Sequence, residues 1–402
     1  QFRECLGVFG YSLENVAEMH TKTQKLVGDI DYSKQRNSFT PLTDGTNGTK
    51  NEIGYCLNDV LILSELGIIA LDTYHKKPIP MTGTGIIRQA VREQLESRGK
   101  LTVEFEKEKV SRQMPHNIDD YHIIMDFLYC GGLCHSYFDA VRRELHDVVC
   151  CDIVSDFPAQ MTHRMFPAGS CIGNRTYEEM RSAKHWYALC TFYNVRPKTK
   201  HSIVSQHKCI DLYHATIDNG RIFAAEVMAV YCTEIDFGNI CMIYDIESVE
   251  FSDIHIFTQS APCPMHLLSV LWQQYAKKTE LKPAKKEAEK KLKEDPNRSD
   301  KDECKKVIRA YEESKKFVNG CYGMTSTRIY ETCVKYGINP ENENMKQPDL
   351  YLTKRTHEKG EKAGQPMTYN DLISDLWLSP FIAIYTTAYA RQIYGNVCKP
   401  LR

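Results

Sequence analysis

Apolar positions fall into distinct regimes along the chain. From Glu52 to Asp72 they recur at helical spacing (Ile53, Leu57, Val60, Leu61, Leu63, Leu66), which predicts a helix with Tyr55 and Asp59 four apart on one face. Residues 1–27 read as a strand followed by an amphipathic helix, Leu13 to Leu26, and Ile86–Ser97 as another helix. The polar stretches Ser38–Asn51 and Gly99–Arg112 predict a loop and an interdomain linker. A short helix is expected over Asp139–Leu145, leading into Val149–Met161, an apolar run that ends at an acid, Asp152, and turns at Ser155–Pro158.

Residues 185–260 are rich in Val, Ile, Tyr, Phe and Thr, with Asn219-Gly220 between two runs, so this region predicts hairpins and sheet. Helical character returns from Met265 to Phe317, with breaks expected at Pro283 and at Asp295-Pro-Asn, and with Lys277–Glu294 as a solvated face. Residues 336–371 are polar and read as a loop or extended hairpin. Leu372–Tyr394 is helical at least from Ser379-Pro380, an N-cap and first-turn pair.

Composition narrows the class without naming a function. At 402 residues, 42% hydrophobic and 26% charged, the chain has room for two or three globular domains. The net charge of −1 gives no global basic signature, so nucleic-acid binding would depend on local basic faces. The 16 cysteines show no spacing of the zinc kind and are expected to be buried thiols in a reducing compartment. With no signal peptide and no apolar run of about 18 residues, the chain is expected to be neither secreted nor membrane-spanning. Both ends read as cut, since the chain starts with Gln and stops after Pro400-Leu-Arg.

Candidate chemistry lies in four short patterns. In order they are Tyr55-Cys-Leu-Asn-Asp59, Tyr129-Cys-Gly-Gly132, Asp152-Ile-Val-Ser-Asp-Phe-Pro158 and Lys315-Lys-Phe-Val-Asn-Gly-Cys-Tyr-Gly323. Each alone is a weak signal; their order and spacing together are strong. An acid at the end of a buried strand, with a turn of exposed N–H groups after it, can hold a divalent cation and a phosphate together. Lys315, Asn319 and Tyr322 share one helical face, where an ammonium can meet a polyphosphate. Gly131 and Gly132 allow either close backbone approach or a positive-φ turn.

This constellation resembles the family B DNA polymerases, and within them the protein-primed group of phages and linear plasmids. Gly28–Tyr32 with Tyr55 and Asp59 is similar to the last exonuclease motif region, Tyr129–Gly132 to Y-x-G-G, Asp152–Pro158 to D-x-x-S-L-Y-P, Lys315–Gly323 to K-x-x-x-N-S-x-Y-G, and Thr387–Arg391 to the template-contacting helix of the palm. The resemblance implies an α+β fold: a right-hand polymerase palm and helical fingers, preceded by the C-terminal part of an RNase-H-like 3′–5′ exonuclease domain. The implied organisation is partial exonuclease over 1–105, palm with a terminal-protein-type insertion over 106–262, fingers over 263–323, a hairpin-like second insertion over 324–371, and a palm helix over 372–402 that stops before the second catalytic Asp motif.

The resemblance further implies DNA-directed DNA polymerase activity by a two-metal mechanism. Asp152 and Lys315 are then the catalytic residues, with Mg2+ or Mn2+ on Asp152 and the Ile153 carbonyl. Ser155, Phe157, Asn319 and Tyr322 bind the nucleotide; Phe157, in the family's Tyr position, excludes a ribose 2′-hydroxyl. Tyr129, Gly131, Gly132, Thr387 and Arg391 contact DNA, and further phosphate-binding cations are expected near Lys277 and Lys278. Expected partners are primer-template DNA, deoxynucleoside triphosphates and a terminal priming protein. The expected location is the cytoplasm of a host cell carrying a phage or plasmid, or a mitochondrial linear plasmid. Departures are Asp156 for Leu, Gly320 for Ser, and the missing first two exonuclease motifs, which leave Asp59 a lone acid and predict no proofreading. A catalytically inactive DNA-binding remnant is the alternative.

Overall fold

A computed structural model of the chain describes residues 12–26, 42–46, 49–74, 82–136, 143–144, 146, 153–295, 298–333, 349–352, 355–357 and 361–397. Two compact units divide it: Gln1–Glu93 with Val270–Cys321, and Gln94–Ser269 with Tyr322–Arg402.

In the first unit, helix α1 (Leu13–His20) starts at Ser12, whose hydroxyl accepts from the Asn15 N–H, and packs on α2 (Glu52–Tyr74). Their shared core is Val16, Ala17, Ile62 and Leu66, with Leu13 against it. Helix α2 thus covers the stretch the periodicity predicts, but with another face inward: Ile53, Leu57, Val60, Leu61 and Leu63 are exposed. An almost uniformly apolar helix offers several plausible stripes, and only the packing partner selects one. Helix α1 also ends at His20 rather than Leu26, because residues 21–25 turn back onto α2. Helix α3 (Gly83–Glu96) matches its expected span closely.

The sequence expectation of a linker over Gly99–Arg112 is corrected: Lys100–Ser111 is helix α4. Only Val110 of it is buried, so its sequence carries little apolar period to read. Pro283 does not break the chain's longest helix, α9 (Met265–Glu294), which ends instead at Asp295. Proline removes one hydrogen bond at a cost of about 3 kcal/mol; strong helix formers and the pairs Lys285–Glu289 and Lys291–Glu287 follow it. Helix α10 (Lys301–Gly323) buries Cys304, Tyr311, Ser314, Val318 and Cys321 and leaves Lys315 and Asn319 exposed. Lys285 of α9 lies 5.0 Å over the Tyr311 ring.

The second unit is built on an antiparallel sheet. Its main path runs β1 (Met165–Ile172), β7 (Ser248–Pro262), β2 (Trp186–Pro197), β5 (Arg221–Thr233), β3 (Cys209–Tyr213); β4 (Thr216–Asp218) pairs with β5, and β6 (Tyr244–Asp245) with β2. Asn219 and Gly220 both take positive φ, 47° and 77°, which is the primed turn that Asn-Gly predicts between β4 and β5. Alternate residues of β2 and β5, among them Cys190, Phe192, Met228 and Val230, fill the core.

Helix α5 (Ile118–His122) runs into a π-helical turn, Ile123–Leu128. Helix α6 (Asp156–His163) precedes β1, α7 (Tyr177–Ser182) lies between β1 and β2, and α8 (Glu234–Ile243) comes directly after β5. Two short strands, β8 (Tyr330–Cys333) and β9 (Asp349–Leu352), pair antiparallel. Helices α11 (Tyr369–Ser374) and α12 (Phe381–Val397) close the chain. Phe381 packs on Phe257 and Tyr187, and α12 is buried on every face from Phe381 to Ala390, which explains its unbroken apolar sequence. Among the described residues the cysteines are free thiols, and no helix is long and apolar enough to cross a membrane.

Candidate active site

Residues from three of the four sequence patterns meet in the second unit: the Tyr129–Gly132 loop, Phe157 and Tyr322. The π-helical turn ends at Tyr129, whose N–H donates to the Ile124 carbonyl five residues back, 2.9 Å away. Such turns are concentrated at functional positions, where one extra residue re-aims the chain beyond the turn. The loop Tyr129–Gly132 then lies beside α6: a Cβ at Gly132 would come within 3.6 Å of the Phe157 ring. Phe157 in turn packs on Tyr322, with ring centroids 4.3 Å apart. Burial pushes the Tyr322 hydroxyl above its ordinary pKa, with neighbouring Tyr129 adding to the rise.

Neither Gly131 nor Gly132 is at positive φ, so the turn alternative is corrected. A Cβ at Gly131 would meet nothing within 4 Å. Nothing inside the fold demands glycine there; the bare backbone leaves room for something outside it.

The loop is held by its carbonyls. Arg391 on α12 donates through Nη1 to the carbonyls of Cys130 and Gly131, both 2.7 Å, and through Nε and Nη2 to Asp236 Oδ1 on α8 at 3.0 and 2.7 Å. Thr387, one turn earlier, donates to the Cys130 carbonyl at 2.6 Å. Lys208 bonds the carbonyls of Asp126 and Tyr129 at 2.5 and 2.7 Å, and Arg221 reaches that of Cys134 at 3.4 Å. Thr387 and Arg391 are buried, at 0% and 7% exposure. The expectation that they touch DNA directly meets a geometry in which their donors are directed into the protein. Asp236, Lys208 and Arg221 were not singled out from sequence, because their partners lie 79 to 155 residues away.

Asp152 lies outside the described residues, as do Gly28–Tyr32 and most of the Asp139–Leu145 helix expectation. Just after it, Ile153 and Val154 are exposed, and Ser155 takes the left-handed conformation (φ 53°, ψ 50°) as the N-cap of α6. A turn through Pro158 was expected; instead Asp156 begins a helix, and Pro158 sits in its first turn, where no N–H is missed. The carboxylate of Asp156 accepts from Gln160 at 2.7 Å, and Gln160 accepts from Arg164 at 3.1 Å. The additional acid is therefore tied along α6. Among the described residues no three His, Cys, Asp or Glu side chains converge as a metal site.

Lys315 and Asn319 belong to the first unit. There Lys278 is close enough to Lys282 and Lys315 to be affected by them: burial lowers its pKa most, and the two neighbouring ammonium groups lower it further. Lys278 of the expected Lys277–Lys278 pair thus joins Lys315 in a basic cluster. Gly320 also has a local reason, since a Cβ at that position would overlap the Cδ1 of Ile87 on α3. We expect Gly320→Ser to lower stability by about 1 kcal/mol through overpacking and Ile87→Ala to relieve part of that cost, as measured by a double-mutant cycle in urea.

Tyr55 and Asp59 also lie in the first unit. Lys25 Nζ sits 2.9 Å from both Asp59 oxygens and 4.3 Å over the Tyr55 ring. Residues 22–25 are pinned to α2 by Glu65, which accepts from the Lys22 N–H at 2.6 Å, and by Asn58, which donates to the Gln24 carbonyl at 3.0 Å. Lys25 was missed in the sequence because it precedes the pattern it serves by 34 residues.

Comparison with known proteins places this geometry. Residues 9–237 match the family model described as DNA polymerase type B, organellar and viral. The fold is similar to Phi29 DNA polymerase complexed with primer-template DNA, at TM-score 0.54 and 16% identity, covering 96% of this chain and 55% of that one. It is also similar to the Phi29 enzyme with single-stranded DNA (TM-score 0.55, 16% identity, 98% and 57% covered). The complex of that enzyme with primer-template DNA and incoming nucleotides gives TM-score 0.54 and 17% identity, with the same coverage. The chain thus spans 55 to 57% of the length of these structures. No curated protein sequence matches it. The fold is that of a DNA polymerase. The chain belongs to the type B DNA polymerases of the organellar and viral group.

Proposed function

We propose that the chain carries the nucleotide-binding part of a DNA-directed DNA polymerase that extends a primer on a DNA template, of the protein-primed kind. The observation that carries this reading is the convergence of Tyr129, Gly132, Phe157 and Tyr322 from three separate patterns into one cluster. In this reading Phe157 and Tyr322 form the floor for the sugar and the nascent base pair, with Ser155 at the start of α6 and Asn319 one turn before Tyr322. Within the first unit, Lys315 and Lys278 are the cations that the resemblance assigns to a triphosphate; within the second, the bare backbone at Gly131 and Gly132 lets a DNA strand approach. Thr387 and Arg391 act on that strand indirectly, by holding the loop.

A carboxylate and a main-chain carbonyl are oxygen donors, the kind that suits a hard divalent ion such as Mg2+ or Mn2+. Asp152 and the Ile153 carbonyl would hold it, and Asp156, committed to Gln160, does not compete. Such an ion supplies activation of the primer 3′-hydroxyl and neutralisation of the leaving pyrophosphate. We expect no proofreading chemistry at Asp59, because Lys25 already satisfies its carboxylate.

Asp156 and Gly320 both have local structural reasons, so neither favours an inactive remnant. The domain organisation that fits is a palm over 106–262 whose sheet holds a terminal-protein-type insertion, fingers over 263–323, and a second insertion over 324–371. The test is primer extension by the full-length protein. Extension that EDTA abolishes and Mg2+ or Mn2+ restores is expected; no extension in the presence of metal would overturn the proposal.

A further inference from the structure

Between the base of β8 and the Tyr129–Gly132 loop stands the carboxylate of Asp126. It belongs to the π-helical turn, three residues before Tyr129, and its side chain is 20% exposed. It accepts from the Tyr330 hydroxyl on β8 at 2.7 Å and from Arg328 just before that strand. His122 Nε2, one turn earlier on the same helical stretch, lies 2.9 Å away. A second set of contacts binds the base of β8 to α5. Tyr121 donates to the Thr327 carbonyl, and its ring meets that of Tyr330 edge-on at 6.2 Å. Burial, with the Asp126 bond after it, pushes the Tyr330 hydroxyl well above its ordinary pKa, so it stays a donor.

The main chain of the same residue faces the loop. The carbonyls of Asp126 and Tyr129 share one ammonium, that of Lys208, at 2.5 and 2.7 Å. Burial lowers the Lys208 pKa, and Cys130 and Asp126 oppose that fall, so the acid also acts on the loop's anchor through space. The turn itself is closed by the Tyr129 N–H on the Ile124 carbonyl. A π turn carries one residue more than an α turn, so a change to α register would re-aim every residue after it. Asp126 is tied to the β8 base by its side chain and to Lys208 by its carbonyl, and both ties oppose that change.

Stability alone does not explain the arrangement. Arg328 is 56% exposed, and an ion pair with so exposed a partner contributes little to folding. What the contacts fix is direction. Residues 202 and 204 positions later in the chain set where the turn before the loop points.

We propose that Asp126 is a positioning residue that passes the placement of the β8 base to the Tyr129–Gly132 loop. Arg328 and Tyr330 then act on what the loop serves without touching it. That the loop serves primer-template DNA rests on the polymerase reading; the coupling itself does not.

The test uses the full-length protein with Arg328→Gln, Asp126→Asn and the double variant. Each single change should speed amide hydrogen exchange in residues 127–133. Each should also raise KM for primer-template about three- to tenfold, the range of coupling through a packed network, with KM for nucleotide and melting temperature unchanged. The double variant should be no worse than Asp126→Asn alone, because Arg328 acts through Asp126. Asp126→Glu, which keeps the carboxylate, should recover part of the loss.

Wild-type loop exchange in folded Arg328→Gln overturns the proposal. So does an Arg328→Gln effect on KM that adds in full to that of Asp126→Asn, since Arg328 would then meet the DNA itself. Should Asp126→Asn not fold, Arg328→Gln combined with Tyr330→Phe leaves Asp126 in place, and unchanged loop exchange in that variant overturns the coupling. Exchange is read without primer extension, so failure of the polymerase reading leaves this result standing.

Discussion

Asp152→Asn is expected to lower primer extension by the full-length protein about 1,000-fold or more, with no change in melting temperature. A metal ion contributes several kcal/mol of transition-state stabilisation, and each 1.36 kcal/mol is a factor of ten in rate. Asparagine keeps the size and one oxygen but loses the charge that holds a hard cation. Asparagine is nearly isosteric with aspartate, so the substitution leaves the side-chain volume unchanged. Steady-state extension and a thermal melt on the same preparation separate the two effects. Undiminished extension would sink the assignment of Asp152. A matching fall in melting temperature would point to a structural role instead.

Arg391→Met is expected to carry the largest stability loss, about 3–5 kcal/mol, as for breaking a buried ion pair. The substitution keeps most of the side-chain volume while stranding Asp236 and removing the donors to the Cys130 and Gly131 carbonyls. Side-chain exposures of 6% and 14% for Arg391 and Asp236 mean that water cannot readily take over. The Asp236→Leu single variant leaves Arg391 its two carbonyl partners and should cost less. The double variant should fall short of the sum of the two singles, because the second change removes a charge the first had stranded. Urea unfolding gives all three values; additive losses would mean that the pair is not coupled.

What was legible in the sequence divides by range. Helix α2, the Asn219-Gly220 turn and the Ser379-Pro380 start of α12 come from local spacing or turn chemistry, and each is present. The buried face of α2 was not legible, since Ile62 and Leu66 are distinguished from Leu61 and Leu63 only by what packs on them. Nor was α4, whose pattern is charged almost throughout, or the passage of α9 through Pro283. At the site, the residue types of Tyr129, Phe157 and Tyr322 were readable as patterns. The groups that hold the Tyr129–Gly132 loop were not, since a lysine at 208 or an aspartate at 236 has no local mark of a partner in another element. For Thr387 and Arg391 the helical spacing gave a shared face, and the fold buries that face against the Cys130 carbonyl.

The carbonyl clasp around Cys130 also sets a timetable for the newborn chain. Lys208 and Arg221 emerge within 79 to 87 residues of the carbonyls they bind, whereas Arg391 comes after its loop partners by 260 and 261. At about 5–20 residues per second of synthesis, that gap is on the order of tens of seconds. Once Lys208 and Arg221 are out, they hold the loop carbonyls without Arg391, and Asp236 awaits its guanidinium. A ribosome pausing before the Arg391 codon would leave this part of the chain shaped by the sheet and not yet closed by α12.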